Sequence, residues 1–143
     1  MAQIQGVVQT LVASAARTAT GNSGALSLAL EPDAGMIVVD VTVASASDTL
    51  DIYLQTSHDG GTTWTDFMHF TQLTAVIKKL MAWSSKPDSN QNRADITAGA
   101  AVLAAATVVN GPIVPTQVRV AWVIAGTAPS FTFEVYAIMN RAH

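Results

Sequence analysis

Cysteine is absent from this 143-residue chain, and charge is scarce. Without a thiol there is no disulfide framework, no thiolate nucleophile and no cysteine-ligated zinc or iron–sulfur centre, while the redox compartment stays open. Charged residues make up 12% of the chain and hydrophobic ones 50%, against about 25% charged in ordinary soluble domains. A surface so poor in charge has to be covered, either by lipid or by protein. Lipid is disfavoured because no apolar run approaches the ~18 residues of a spanning helix. The longest, 98–109, is half alanine and stops at Asn110-Gly111-Pro112. The start, Met1-Ala2-Gln3-Ile4-Gln5, has neither the basic flank nor the apolar core of a signal peptide, so the chain reads as cytosolically made and mature as written. Seven scattered Lys and Arg residues and a net charge of −3 give no basic stripe, which argues against direct nucleic-acid binding through phosphates.

Groups for catalysis are equally sparse. Glu31 and Glu134 are the only glutamates, and Asp48, Asp51, Asp59 and Asp66 cluster in sequence around one turn. Paired acid–base work needs two carboxylates facing one cleft, and a calcium site from Asp51, Asp59 and Asp66 would lack the usual alternating ligand series. His58, His69 and His143 share no metal-ligand spacing. No G-x-S-x-G elbow supports a Ser/His/Asp arrangement. The residues therefore predict no enzyme, no metal and no cofactor.

What the chain does contain is strand after strand. Val7–Ala13, Ala25–Leu30, Met36–Val43, Leu50–Thr56, Thr63–Phe70, Val118–Ile124 and Ser130–Met139 are short extended runs bounded by Gly, Pro, Asn or Asp. In the last, Phe131, Phe133, Val135 and Ala137 alternate with Thr132, Glu134 and Tyr136. The expectation is a single all-β domain over 1–143, an antiparallel β-sandwich or jelly roll, with an N-terminal arm (1–14) and a long polar loop (84–101). The 73–83 run suits strand or helix, and the alanine-rich run after the loop mixes helix and strand formers. Trp64, Trp83 and Trp122, with Phe67, Phe70, Phe131 and Phe133, are expected to fill the space between sheets; Trp83, beside the loop, is also a candidate for a contact surface.

The hairpin turn is the sharpest motif. Ser57-His58-Asp59-Gly60-Gly61-Thr62-Thr63-Trp64 fits the S-x-D-x-G-x-T-W pattern of an Asp box, in which a carboxylate accepts backbone N–H groups, glycine supplies positive φ and tryptophan folds over the turn. Asp boxes recur in sialidase-like propellers, where they too are structural turns. With one copy and no internal repeat, a propeller is excluded, and Ser57, Asp59, Gly61, Thr63 and Trp64 are assigned a structural role.

The succession of Asp40–Val43, Leu50–Trp64, Val118–Trp122, Gly126 and Pro129–Val135 resembles small β-sandwich virion proteins of tailed bacteriophages, of the capsid decoration or cement type. The resemblance covers roughly 36–70 and 116–139. It implies a non-enzymatic structural protein, a homotrimer that binds the head lattice through the major capsid protein or another virion protein, and is found in the virion after synthesis in the host cytoplasm. A neck, tail or fibre component of the same particle is an alternative, and a carbohydrate-binding β-sandwich module is one from another class. Two regions outside the strand-and-turn pattern are expected to carry partner contacts: Ile4, Val7, Val8 and Leu11 in the arm, and Trp83, Lys86, Asp88, Asn90, Asn92 and Arg93 in and beside the loop.

Overall fold

A computed structural model describes residues 5–28, 34–84, 99–109 and 117–141. Among these the chain is all-β, with no helix and two antiparallel sheets packed face to face. The strands are β1 (Gln5–Arg17), β2 (Gly21–Asn22), β3 (Ala34–Ala44), β4 (Thr49–Ser57), β5 (Thr65–His69), β6 (Ile77–Ser84), β7 (Thr107–Val108), β8 (Gln117–Ala125) and β9 (Phe131–Arg141). A four-stranded sheet runs β1-β9-β3-β6 and a five-stranded sheet β2-β8-β4-β5-β7. Successive strands lie in different sheets at every step except β4 to β5 and β7 to β8, so the sandwich is closed by connections that leave one sheet and enter the other.

Period-two alternation explains the packing. From β9, Phe131, Phe133, Val135, Ala137 and Met139 point inward, opposite Ile37, Val39 and Val41 of the neighbouring β3 in register. The five-stranded sheet answers with Leu50, Ile52 and Leu54 from β4, Met68 from β5, and Val118, Val120 and Trp122 from β8. All of these are buried, and each large side chain removed from water contributes roughly 1.5–3 kcal/mol before entropy is counted.

Several expectations change. The stretch expected to be an arm is, from Gln5 on, the edge strand β1, paired with β9 from Gln5↔Arg141 to Arg17↔Phe131. Its apolar side chains suit strand addition, as expected, but the sheet they extend is the chain's own. A bulge between Thr10 and Val12 breaks the alternation, so Leu11 and Val12 both enter the core. The 73–83 run becomes the edge strand β6 from Ile77 on. Of the 25–30 run, Leu26 forms only an isolated bridge to Val118. Residues 99–106 are irregular, with Ala101 and Ala106 at positive φ, before the two-residue β7.

Each tryptophan covers a glycine, which spacing alone does not reveal. Trp83 lies directly opposite Gly35, and a Cβ there would fall 2.3 Å from its ring. Trp122 faces Gly21 in register in the same manner, with a clearance of 3.0 Å. Trp64 is 3.7 Å from the Cβ position of Gly61 across the turn. Trp64 is thus not core: it is half-buried on the outside, with the Arg119 guanidinium 4.5 Å over its ring.

Both edge strands of the four-stranded sheet turn a cation inward. Arg17 of β1 sits 4.5 Å over Phe133 and 5.0 Å over Trp122 while donating to the carbonyls of Ala13, Ala15 and Phe133; burial lowers its pKa. Lys79 of β6 crosses the opposite mouth of the sandwich to donate to Thr71 and to the Gln72 carbonyl.

The β4–β5 turn is built as the motif predicts. Asp59 Oδ1 accepts from Ser57 Oγ and from Thr63 N, each at 2.8 Å, and Ser57 Oγ accepts from Gly61 N at 2.9 Å. Gly60 and Gly61 have φ of 72° and 91°. The Thr63 backbone bond, helped by Thr63 and Ser57 side chains, lowers the Asp59 pKa to about 2 from 3.8. Asp59→Ala and Gly61→Val are each expected to lower the melting temperature, the latter by forcing a β-branched residue into a left-handed conformation. Because the folded carboxyl holds its proton less tightly than the unfolded one, the turn's contribution is complete above about pH 4 and vanishes as pH falls through about 2. Thermal melts of wild type and Asp59→Ala should therefore converge in that acid window.

Candidate functional site

Two surfaces differ from the ordinary exterior of a sandwich. One is a polar tier on the outer face of the five-stranded sheet; the other is an apolar face on the four-stranded sheet.

The polar tier is organised by Asp66, a carboxylate with 1% exposure. A register shift in β5 between the partners of Leu54 and Gln55 sets Asp66 opposite Gln55. There its Oδ1 accepts from Gln55 Nε2 at 2.9 Å and from Ala101 N at 2.8 Å, and its Oδ2 from the N–H groups of Val102 and Leu103. Gln55 passes the network on, accepting from Arg119 Nε at 2.7 Å. Desolvation lowers the Arg119 pKa, partly opposed by Asp66. Three consecutive backbone N–H groups converging on one carboxylate form an anion-binding turn whose anion is the protein's own.

Beside it, His69 is stacked on Tyr53 with centroids 3.9 Å apart and an interplanar angle of 17°. Its Nδ1 meets the Leu103 carbonyl at 2.8 Å and its Nε2 meets Asp51 Oδ1 at 3.1 Å, while Asp51 Oδ2 accepts from Gln72 at 2.9 Å. Burial, then Asp51 and Asp66, raises the Tyr53 pKa. With both ring nitrogens engaged, His69 has none left to activate a nucleophile. The three aspartates weighed for calcium do not converge: Asp51 holds His69 and Gln72, Asp59 closes the turn, and Asp66 is occupied by backbone. Among the described residues no group of three or more His, Asp or Glu side chains is placed to hold a metal ion.

The apolar face follows from strand register. Val8, Ile138, Met36 and Ala82 form one row across β1, β9, β3 and β6, and Thr10, Tyr136, Val38 and Leu80 form the next. Val8 is 67% and Leu80 55% exposed. A third row, Glu134, Asp40 and Lys78, closes it with charge, Lys78 Nζ lying 3.1 Å from Asp40. That hydrogen bond raises the Lys78 pKa.

Of the residues expected to carry contacts, Val8 alone is prominently exposed on this face. Val7 is half-buried against the core. Leu11 is core, inward by the same alternation as Val7, and the bulge brings Val12 in beside it. Trp83 is 9% exposed, filling the space over Gly35 and meeting Phe67 edge-on; its neighbourhood to the loop is one of sequence, and its side chain belongs to the interior. Ile4, Lys86, Asp88, Asn90, Asn92 and Arg93 lie outside the described residues. Leu80, Met36 and Ile138 were missed; the alternation that marks the inner face of β9 and β3 also marks the outer one, and apolar residues on it were the available signal.

Replacing Asp66 by Asn keeps the shape but turns an amide donor toward backbone donors. Asp66→Asn is expected to cost about 2–3 kcal/mol, with loss of amide protection over 101–103, measurable by denaturant titration and hydrogen exchange.

No family model matches this chain, and no curated protein does. Among solved structures, it is similar to a chain of the structure of infectious bursal disease virus Gx strain, at 10% identity and a TM-score of 0.48, over 96% of this chain and 33% of that one. The chain thus spans about a third of the length of that neighbour.

Proposed function

We propose that this protein is a non-enzymatic virion structural protein of the capsid decoration or cement type, acting as a homo-oligomer, specifically a trimer, on the head lattice. The observation that carries this reading is the exposed apolar face of the four-stranded sheet. Four strands at ~4.8 Å spacing and about 11 residues at ~3.3 Å rise give the whole outer face roughly 700 Å², close to the ~800 Å² that each partner buries in a stable interface, and the two apolar rows form about a third of it. Its occupant is another copy of the chain. Aliphatic rows with one charged border suit burial against a similar surface better than contact with a polar ligand.

The remaining support comes from sequence. Low charge, absence of cysteine and the order of strands and turns shared with small phage virion sandwiches fit a protein that works by shape in many copies, where several linked contacts multiply a weak one. Catalysis finds little material, because the buried carboxylates and His69 are already engaged with the protein's own groups. Carbohydrate binding would favour a row of open aromatic rings, whereas Trp83 and Trp122 are buried and Trp64 lies under Arg119.

Light scattering at micromolar concentration should give a multiple of 14.9 kDa, and Leu80→Lys together with Val8→Lys should return the protein to monomer with its melting temperature changed little. Wild type should co-sediment with empty capsids and the double variant should do so with at least tenfold lower occupancy. A monomeric wild type removes the interface. Purified particles that lack the protein remove the virion role.

A further inference from the structure

We infer that copies of this chain join through opposite sides of the apolar face, the β6 side of one against the β1 side of the next with their strands running the same way, and that Lys78 of one copy pairs with Glu134 of the next. The inference rests on the proposed oligomer and specifies the contact that builds it.

The open apolar groups lie at the two sides of the face, not at its centre. Val8 on β1 is 67% and Leu80 on β6 55% exposed, whereas Val38 between them is 1% exposed. Three strand spacings hold Val8 and Leu80 ~14 Å apart, so neither covers the other within one chain. A second copy that brings its β6 to this β1 covers both. The levels agree, because Val8 shares a row with the small, exposed Ala82, and Leu80 shares the next row with Thr10.

The charged row fixes the direction of the join. Across β6, β3 and β9 it reads Lys78, Asp40, Glu134, positive on one side and negative toward the other. Lys78 reaches Asp40 in its own chain at 3.1 Å and feels Glu134 only through space. Among the described residues the ion pairs are His69–Asp51 and Lys78–Asp40, which leaves the Glu134 carboxylate without a cation in contact. Beside Glu134 the β1 bulge sets Ala13 and Ser14, both exposed and short, between the pairs Val12↔Val135 and Ala15↔Phe133. A lysine arriving at the β1 side therefore passes over small side chains to reach Glu134.

Other ways of joining the same faces fail on charge. Running the second copy's strands the opposite way lays Asp40 and Glu134 under the aliphatic rows, where a carboxylate loses water and gains no partner. Setting β6 against β6 confronts Lys78 with Lys78, and β1 against β1 confronts Glu134 with Glu134. The β6-to-β1 contact matches apolar rows with apolar rows and opposite charges with each other, which is how charge fixes register at an interface. Being head-to-tail, it closes into a ring about an axis along the strands.

The test is light scattering of the full chain over a dilution series, read as the concentration at half assembly. Lys78→Glu and Glu134→Lys are each expected to raise it at least about tenfold, because like charges then meet. Lys78→Glu together with Glu134→Lys should bring it back to within about threefold of wild type, since the pair is restored with its signs exchanged. Should a reversal fail to fold, two variants at the apolar sides decide instead. Val8→Lys with Leu80→Glu should assemble at least about tenfold more tightly than Val8→Lys with Leu80→Lys, although the two positions are too far apart to pair within one chain. An exchanged pair as weak as the single reversals, or equal assembly of the two Val8 and Leu80 variants, overturns this contact while leaving an oligomeric wild type in place. A monomeric wild type removes the oligomer and this contact together.

Discussion

The structure depends on the burial of one face of each sheet against the other. Because side chains alternate along a strand, every residue driven inward commits its neighbours outward, and the inner pattern of β9, β3, β4 and β8 dictates what the exterior can be. Phe131, Phe133 and Val135 cannot be in the core without Thr132, Glu134 and Tyr136 on the outside. The two outer faces then diverge. On the five-stranded sheet the outward positions are Asp51, Tyr53, Gln55 and Arg119, which join a polar network under a loop. On the four-stranded sheet they are Met36, Val38, Leu80 and Ile138, an apolar patch in which Val38 is buried by its neighbours and Leu80 stays open.

Exceptions to alternation mark the places where something is built. The β1 bulge puts Leu11 and Val12 into the core together and closes the sandwich along that edge. The β5 shift aims Asp66 at the backbone of 101–103. Glycines opposite tryptophans do comparable work, since Gly35 and Gly21 leave the volume that Trp83 and Trp122 occupy. At the other end, Gly126 is excluded from carrying a Cβ by Asp48, whose carboxylate binds Ser45 Oγ at 2.6 Å and Thr127 N at 3.2 Å.

The fold class, the two closing strands and the Asp-box turn were legible in the sequence because each rests on local information: alternation for β9, and spacing within eight residues for Ser57 to Trp64. What was not legible depends on distant partners. Asp66 sits at an unremarkable position two residues after a tryptophan, and its meaning lies in N–H groups of 101–103, far along the chain. Val7 and Leu11 carry the composition of an arm, but whether such a strand adds to its own sheet or to a neighbour's is not written in its residues. The 73–83 and 98–109 runs had propensities for both helix and strand, and pairing with β3 and β5 settled them.

Arg17 and Lys79 have a consequence for crowding. The long outer edges of the four-stranded sheet are the strands from which open-ended, fibre-like stacking would start. Stacking another sheet edge to edge there would require a partner to approach a strand whose side chain reaches back into the mouth of the sandwich, holding its backbone twisted and its charge tied to carbonyls. Such inward cations are a device by which β proteins resist polymerisation. The sandwich can then present its broad faces to neighbours without seeding an insoluble filament.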